Sequence, residues 1–286
     1  MRFENLTFDQ ERALYGIRDA EVLNCSFMGP ADGESALKES GNIRVRDCRF
    51  LLRYPLWHVD GGELSGCVMT DTCRAALWYD KDLRIKNCRL GGIKALRECD
   101  NSVLMDCTID SPEFGWFCRG IQITNCTIQS EYLFLHSRDL EIGALALNGK
   151  YSLQYVENMT IRNSDLNTKD AFWHSKNVTV IDSVIRGEYL GWYSENLKLI
   201  RCTIIGTQPL CYAKNLMLED CEMLDCDLSF EKSDVNASVR GTILSVKNPR
   251  SGSIIADTIG EVILDADRSM ESQCKIQERD PIVHVR

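Results

Sequence analysis

Three pairs of chemistry-bearing residues recur at one interval. Glu98 with Asp100, Phe117 with Arg119 and His136 with Arg138 are each two residues apart, and each pair follows the last by nineteen residues. On stacked strands, residues two apart lie roughly 6.5 to 7 Å from each other and neighbours across strands roughly 4.8 Å. Two carboxylates at that separation beside arginines suit a divalent cation such as calcium, an acidic sugar, or the acid and base of glycoside hydrolysis. In that reading Glu98 or Asp100 is the acid or cation ligand. Arg119 or Arg138 holds an anionic sugar or acts as base, and His136 carries the proton. The same pattern also describes a solvated face whose opposite charges neutralise each other, an arrangement of small energetic weight.

The interval belongs to the whole chain. Asn158–Leu166 (NMTIRNSDL), Asn177–Ile185 (NVTVIDSVI), Asn196–Ile204 (NLKLIRCTI) and Asn215–Met223 (NLMLEDCEM) are copies nineteen residues apart. Earlier copies are Asn42–Phe50 and Asp82–Leu90. The Cys or Ser of the template falls at 25, 48, 67, 88, 107, 126, 164, 183, 202 and 221; the steps from 25 and from 67 are longer, at 23 and 21, and the 38 from 126 to 164 is twice nineteen, with a degenerate copy centred on Leu145 between. A sustained period means a solenoid. Nineteen residues are too few for two helices but enough for two or three short strands with turns. The expected fold is therefore all-β, a single-stranded right-handed parallel β-helix over residues 19–264, with an N-terminal cap over 1–18 and a C-terminal cap or tail over 265–286. The leucine-rich repeat is the rival, since Leu83-x-Ile85-x-x-Cys88-x-Leu90 fits part of its pattern, but the second half of each unit reads as aromatic strand rather than helix.

Alternation assigns faces. The apolar residues one and three places after each Asn or Asp, such as Leu83 and Ile85 or Met159 and Ile161, and the Cys or Ser, point inward. In the second half of the coil all five tryptophans, Trp57, Trp78, Trp116, Trp173 and Trp192, fall ten residues before a template Cys or Ser. The next position holds His58, Tyr79, Glu98, Phe117, His136, Tyr155, His174, Tyr193, Tyr212 and Glu231. The one after is mostly small, and the one after that mostly charged. A charged column must face water, which puts the His/Tyr/Glu column outside and the Trp and small columns inside. A bulge at the turn would reverse this and expose the Trp ladder.

Leu56, Leu77, Leu96, Phe134, Leu153, Phe172 and Leu210, interrupted by Gly115 and Gly191, then line the outer face. Such a row implies a covered surface. With Tyr79, Phe117, Tyr155, His174 and Tyr193 it would make a substrate-binding groove for sugars, and as a Leu-rich stripe it would make a homo-oligomer interface. Two residues break register: Arg97 stands in the inward Trp column and Asp80 in the inward small column. A buried charge is tolerable only with its partner, so these two are expected to contact each other.

The stacked Asn or Asp positions, Asp82, Asn101, Asp139, Asn158, Asn177, Asn196 and Asn215, with Gly61 and Gly120 as substitutes, resemble the turns of right-handed parallel β-helix proteins of the pectin-lyase-like superfamily. The stretch Ser245–Gly252 (SVKNPRSG) is similar to an uncharacterised bacterial family within it. The resemblance implies a carbohydrate-binding or carbohydrate-processing protein, a polysaccharide lyase or glycoside hydrolase in the enzymatic case, and a non-catalytic self-associating scaffold otherwise. It implies no resident cofactor, while lyases of that superfamily use carboxylates for calcium and an Arg or Lys as base. No polygalacturonase-like run of aspartates is present.

Net charge is −9 and pI about 5.1. These argue against general nucleic-acid or anionic-membrane partners. The N-terminal stretch MRFENLTFDQERALYG contains no apolar run, so neither a signal peptide nor a membrane span is expected and the location expected is cytoplasmic. Eight of the fourteen cysteines share one inward column. They read as small buried residues in a reducing compartment rather than as disulfides, and a linear stack of thiols without a CxxC pair cannot close a metal tetrahedron.

Overall fold

A computed structural model describes residues 1–29, 33–265 and 272–279. The described chain is a parallel β-solenoid whose one helical element among those residues is a single 3-10 turn, Asp71–Cys73. It forms two compact units, Met1–Gly149 and Lys150–Arg286. In the first, Lys81–Lys86 pairs in parallel with Asp60–Ser65, with Ile85 opposite Leu64. In the second, Lys176–Ile181 lies between Glu157–Arg162 and Glu195–Ile200, so Met159, Val178 and Leu197 form one column. These inward residues and the Cys column are fully buried, as alternation requires.

Turns make the strands change direction. Asn158, Asn177, Asn196 and Asn215 have φ of 51–56°, the left-handed region, where Asn is tolerated better than most residues. Their side chains form an amide ladder: Asn177 donates to Asn158 at 3.0 Å, Asn196 to Asn177 at 2.8 Å and Asn215 to Asn196 at 2.8 Å. A second left-handed position precedes each template Cys or Ser and carries its own ladder, as where Asn125 donates to Asp106 at 2.7 Å. Asn24 donates in the same way to Asn5 at 2.6 Å. Residues Arg2–Glu4 and Thr7–Phe8 pair with Glu21–Leu23 and Ser26–Phe27. The 1–18 segment expected as a cap thus contains coil strands of its own. Past residue 264, Gln273–Glu278 pairs with Ser251–Ala256 and adds a further strand. Residues 266–271 and 280–286 of the expected C-terminal cap, with His284, lie outside the described residues, as do residues 30–32 of the insertion at 28–35.

The second half of the coil departs from the expected strand. Strand pairing there is confined to Leu56–Trp57, Leu77–Trp78 and Leu96–Arg97. Elsewhere the path is a turn with left-handed residues two apart, such as Phe172 and His174 (φ 62° and 53°) or Gly191 and Tyr193 (φ 69° and 58°). Such a path has no pleat, so two successive side chains can point inward. The Leu/Phe column expected on the surface, from Leu56 to Leu210, is buried, and the Trp column expected in the core is half-buried. The His/Tyr/Glu column stays outside and the small column inside. Gly115 and Gly191 carried the signal: both need positive φ, and a Cβ on Gly115 would come within 2.3 Å of the Phe134 ring. Losing the Leu stripe removes the interface on which self-association through it rested.

The fourteen cysteines are free, and thirteen of them are buried. The backbone N–H of Cys107 donates to the Cys126 sulfur at 3.4 Å, whose thiol lies 3.4 Å from the Thr124 carbonyl. Burial pushes the thiols of Cys73, Cys211 and Cys226 up to about 12. Because the other thirteen thiols are buried out of a reagent's reach, alkylation of the native protein at pH 8 is expected to reach Cys274 alone, and slowly, while all fourteen react after unfolding. Mass spectrometry of the labelled protein reads this; rapid labelling of any other cysteine would contradict the packing described.

Candidate ligand-binding site

The outward column is a set of self-stacked rings. In the first unit His58 stacks on Tyr79 at 5.0 Å and Phe117 on His136 at 5.6 Å. In the second, Tyr155, His174, Tyr193 and Tyr212 stack in sequence at 4.9, 5.0 and 4.9 Å. Stacking consumes ring faces and leaves edges to solvent. Both faces of His174 and of Tyr193 are taken by neighbouring rings. Phe117 has His136 on one side and the Arg97 guanidinium 5.4 Å from its centroid. The platform expected from Tyr79, Phe117, Tyr155, His174 and Tyr193 therefore lacks the open faces that a sugar needs.

The five candidate catalytic residues lie on successive coils, as the period requires. Backbone bridges run from Lys81 to Asp100, Asp100 to Arg119 and Arg119 to Arg138. Their side chains are drawn to separate neighbours. Glu98 accepts from Arg97 Nε at 3.0 Å, and its carboxylate raises the pKa of the neighbouring Tyr79 hydroxyl. Arg119 pairs with Asp139 at 3.4 Å, and His136 is stacked on Phe117. Glu98 engaged in this way does not fit a calcium cradle with Asp100. Among the described residues no group of three or more His, Cys, Asp or Glu is placed to hold a metal.

Asp80 and Arg97 do not meet, which corrects the expected ion pair. Asp80 is buried; its Oδ1 accepts the Val59 N–H at 2.8 Å and its Oδ2 has no hydrogen-bond partner. That is the task performed in the same column by Ser137, which accepts from Cys118 N–H at 2.9 Å, and by Ser233, which accepts from Ala213 N–H at 2.9 Å. Arg97 belongs to the half-exposed Trp column, with 19% of its side chain accessible, and needs no buried counter-ion.

Arg97 also interrupts the tryptophan stack. Trp57 and Trp78 are parallel at 5.2 Å. The next residue in register is Arg97, followed by Trp116. Where a third indole would stand is a pocket of about 250 Å3 lined by Tyr54, Arg74, Ala75, Trp78, Ile93, Lys94 and Arg97. Its walls combine aromatic and aliphatic surface with three cations and no carboxylate. Lys94 reaches Glu113 at 3.4 Å and Arg97 reaches Glu98, but Arg74 makes no ion pair among the described residues. The two extra residues of the 67–88 step accompany the 3-10 turn Asp71–Cys73, which ends on Arg74 at φ 59° and ψ −88°. Gly92 packs against that turn so closely that a Cβ would lie 2.6 Å from the Arg74 carbonyl. Two donors in the wall residues, Trp78 Nε1 and Arg97 Nη1, have no acceptor among the described residues, whereas Trp116, Trp173 and Trp192 donate to carbonyls at 2.7–2.8 Å. A second, wider pocket of about 520 Å3 shares Ile93 and includes Asp71, Arg89, Thr108 and Asp110. Sequence reasoning missed this site, although Arg97 in the Trp column and the 21-residue step were both visible.

The family described as "Protein of unknown function (DUF3737)" matches residues 1–277. The chain belongs to the DUF3737 family. No curated protein matches this DUF3737 chain. Solved structures resemble it in their coils. PfbA, a surface adhesin of Streptococcus pneumoniae, is 11% identical over 91% of this chain and 73% of its own, with a TM-score of 0.35. The A-module of the Azotobacter vinelandii mannuronan C-5 epimerase AlgE6 is 9% identical over 98% of this chain and 89% of its own, with a TM-score of 0.32. The periplasmic alginate epimerase AlgG is 9% identical over 91% and 77%, with a TM-score of 0.32. At these values the likeness carries no argument about chemistry.

Burial raises the pKa of Asp80 well above the usual carboxylate range. The folded chain therefore keeps a proton that the unfolded chain releases near pH 3.9, and stability falls as pH rises through that window by about 1.4 kcal/mol per pH unit. Asp80→Ser keeps a hydroxyl acceptor for Val59 and removes the titration. Urea unfolding from pH 4 to 8 should show the variant more stable at pH 7, with the advantage shrinking toward pH 4. Parallel pH profiles for the two proteins would sink this account.

Proposed function

We propose that this DUF3737 protein binds carbohydrate, and that it does so by seating a carboxylate-bearing sugar residue in the Arg97 pocket. The observation that carries the reading is the wall itself: Arg74, Lys94 and Arg97 around the Trp78 and Tyr54 rings, with no acid among them. A uronate presents a carboxylate to guanidinium groups, which bind it through charge-assisted hydrogen bonds. Its C–H face packs on an indole. The volume corresponds to about eight waters at roughly 30 Å3 each, room for one sugar ring. The neighbouring pocket that shares Ile93 offers polar groups to the next ring.

The chemistry favours binding over bond cleavage. Glu98, the acid nearest to Arg97 in the chain, is engaged by Arg97. The Arg97 pocket itself thus presents no carboxylate pair of the kind that glycoside hydrolysis uses, and Asp71 and Asp110 line the neighbouring pocket instead. We place its action in a reducing compartment such as the cytoplasm, a setting that suits fourteen unpaired thiols.

The decisive variant is Arg97→Trp. It completes the column between Trp78 and Trp116 and fills the pocket, so the fold is retained while the cation is lost. Calorimetric titration of oligouronates against neutral oligosaccharides of equal length should show uronate binding by the wild type. The affinity should fall at least about tenfold in Arg97→Trp and in Arg74→Ala, the loss expected for one charge-assisted hydrogen bond. Equal affinity for acidic and neutral glycans, or full affinity in a folded Arg97→Trp, would overturn the assignment.

A further inference from the structure

The second unit carries a surface stripe whose pattern is its own complement. Beside the ring column Tyr155, His174, Tyr193, Tyr212 runs the charged column Glu157, Lys176, Glu195, Lys214. Its members are neighbours in register: Glu157 lies opposite Lys176, Lys176 opposite Glu195, and Glu195 bridges to Lys214. All four are exposed, and none makes an ion pair within 4 Å among the described residues. The rings beside them are open at their edges, with Tyr155 42% and Tyr193 46% exposed. At its far end the stripe closes: Glu231 pairs with Lys247 at 3.3 Å, and Asp234 pairs with Arg250.

We infer that this stripe is an interface between two copies of the chain, docked antiparallel about a two-fold axis. Reversing the order acid, base, acid, base gives base, acid, base, acid. Laid against itself in opposite directions, the column therefore sets Glu157 against Lys214 of the second copy and Lys176 against Glu195, and the same pairs recur by symmetry. An isologous contact requires this self-complementarity. In the first unit Asp60, Lys81, Asp100 and Arg119 alternate in the same way, but Arg119 is already engaged by Asp139 at 3.4 Å and the next residue of the column, Arg138, repeats its charge. The stacked rings supply the rest of the contact, because rigid aromatic edges with a polar tip suit interfaces. The stripe spans four coils, roughly 14 Å at about 4.8 Å per coil. It therefore buries far less than the roughly 800 Å2 per partner of a stable complex, and the dimer is weak and weakened by salt. This interface involves neither the buried Leu column nor the Arg97 pocket, and it stands whatever that pocket binds.

Sedimentation equilibrium of the full chain over a wide concentration range at low salt tests it, with Lys176→Glu and Glu195→Lys as separate variants. The wild type should self-associate. Each variant alone should be monomeric or at least about tenfold weaker, because two like charges then meet twice per dimer. An equimolar mixture of the two variants should associate again, because Glu at 176 in one chain then faces Lys at 195 in the other. Rescue in trans separates pairing between chains from neutralisation within one, and circular dichroism confirms that each variant is folded. A wild type that stays monomeric throughout, single variants that associate as well as the wild type, or a mixture that stays monomeric would each overturn the proposal.

Discussion

Coil-to-coil hydrogen bonding in fixed register is the constraint on which the rest of this molecule depends. Each parallel strand must place its residues opposite those nineteen positions away, so every position becomes a column roughly 4.8 Å apart. A column multiplies the consequence of residue type. Asn at one left-handed turn becomes a ladder of amides. A small inward residue becomes a row of thiols and hydroxyls, several of which accept an N–H of the coil before. An aromatic outside becomes a stack.

The same constraint makes a substitution in a column conspicuous and gives it a physical consequence. Asp80 replaces a serine-like acceptor and performs that task with one oxygen, leaving the other without a partner. Arg97 replaces an indole and leaves a gap one coil tall beside Trp78. Two additional residues in one coil cannot be absorbed by the strands, whose pairing is fixed, so they emerge as the turn that carries Arg74. The pocket is thus made from departures from the repeat. A functional site in a solenoid can be sought this way, because regular columns do the work of folding and irregular ones are free to do something else.

Ring stacking shows how the column rule can also remove a function. Isolated tyrosines on a strand would offer flat faces to a sugar. Repeated at every coil, they cover each other and offer edges. The charged column beside them follows the opposite logic. Its alternation of sign neutralises the stripe on average, yet its exposed side chains make no ion pair among the described residues.

The period, the parallel strands, the inward Cys column, the Asn turns and the outward His/Tyr column were legible in the amino-acid order, because strand register and pleat alternation are local rules acting on residue type. The pairs Glu98 with Asp100, Phe117 with Arg119 and His136 with Arg138 were placed on successive coils for the same reason. What the tertiary structure decided was the direction of side chains where the pleat stops. Between residues 115 and 212 left-handed residues two apart turn Phe134, Leu153, Phe172 and Leu210 inward and leave the tryptophans half-buried. Alternation has no authority over a path without a pleat. Partner choice was decided there too: Arg97 turned to Glu98 and Asp80 to a backbone N–H, because each followed the face its own column occupied and not the charge of the other.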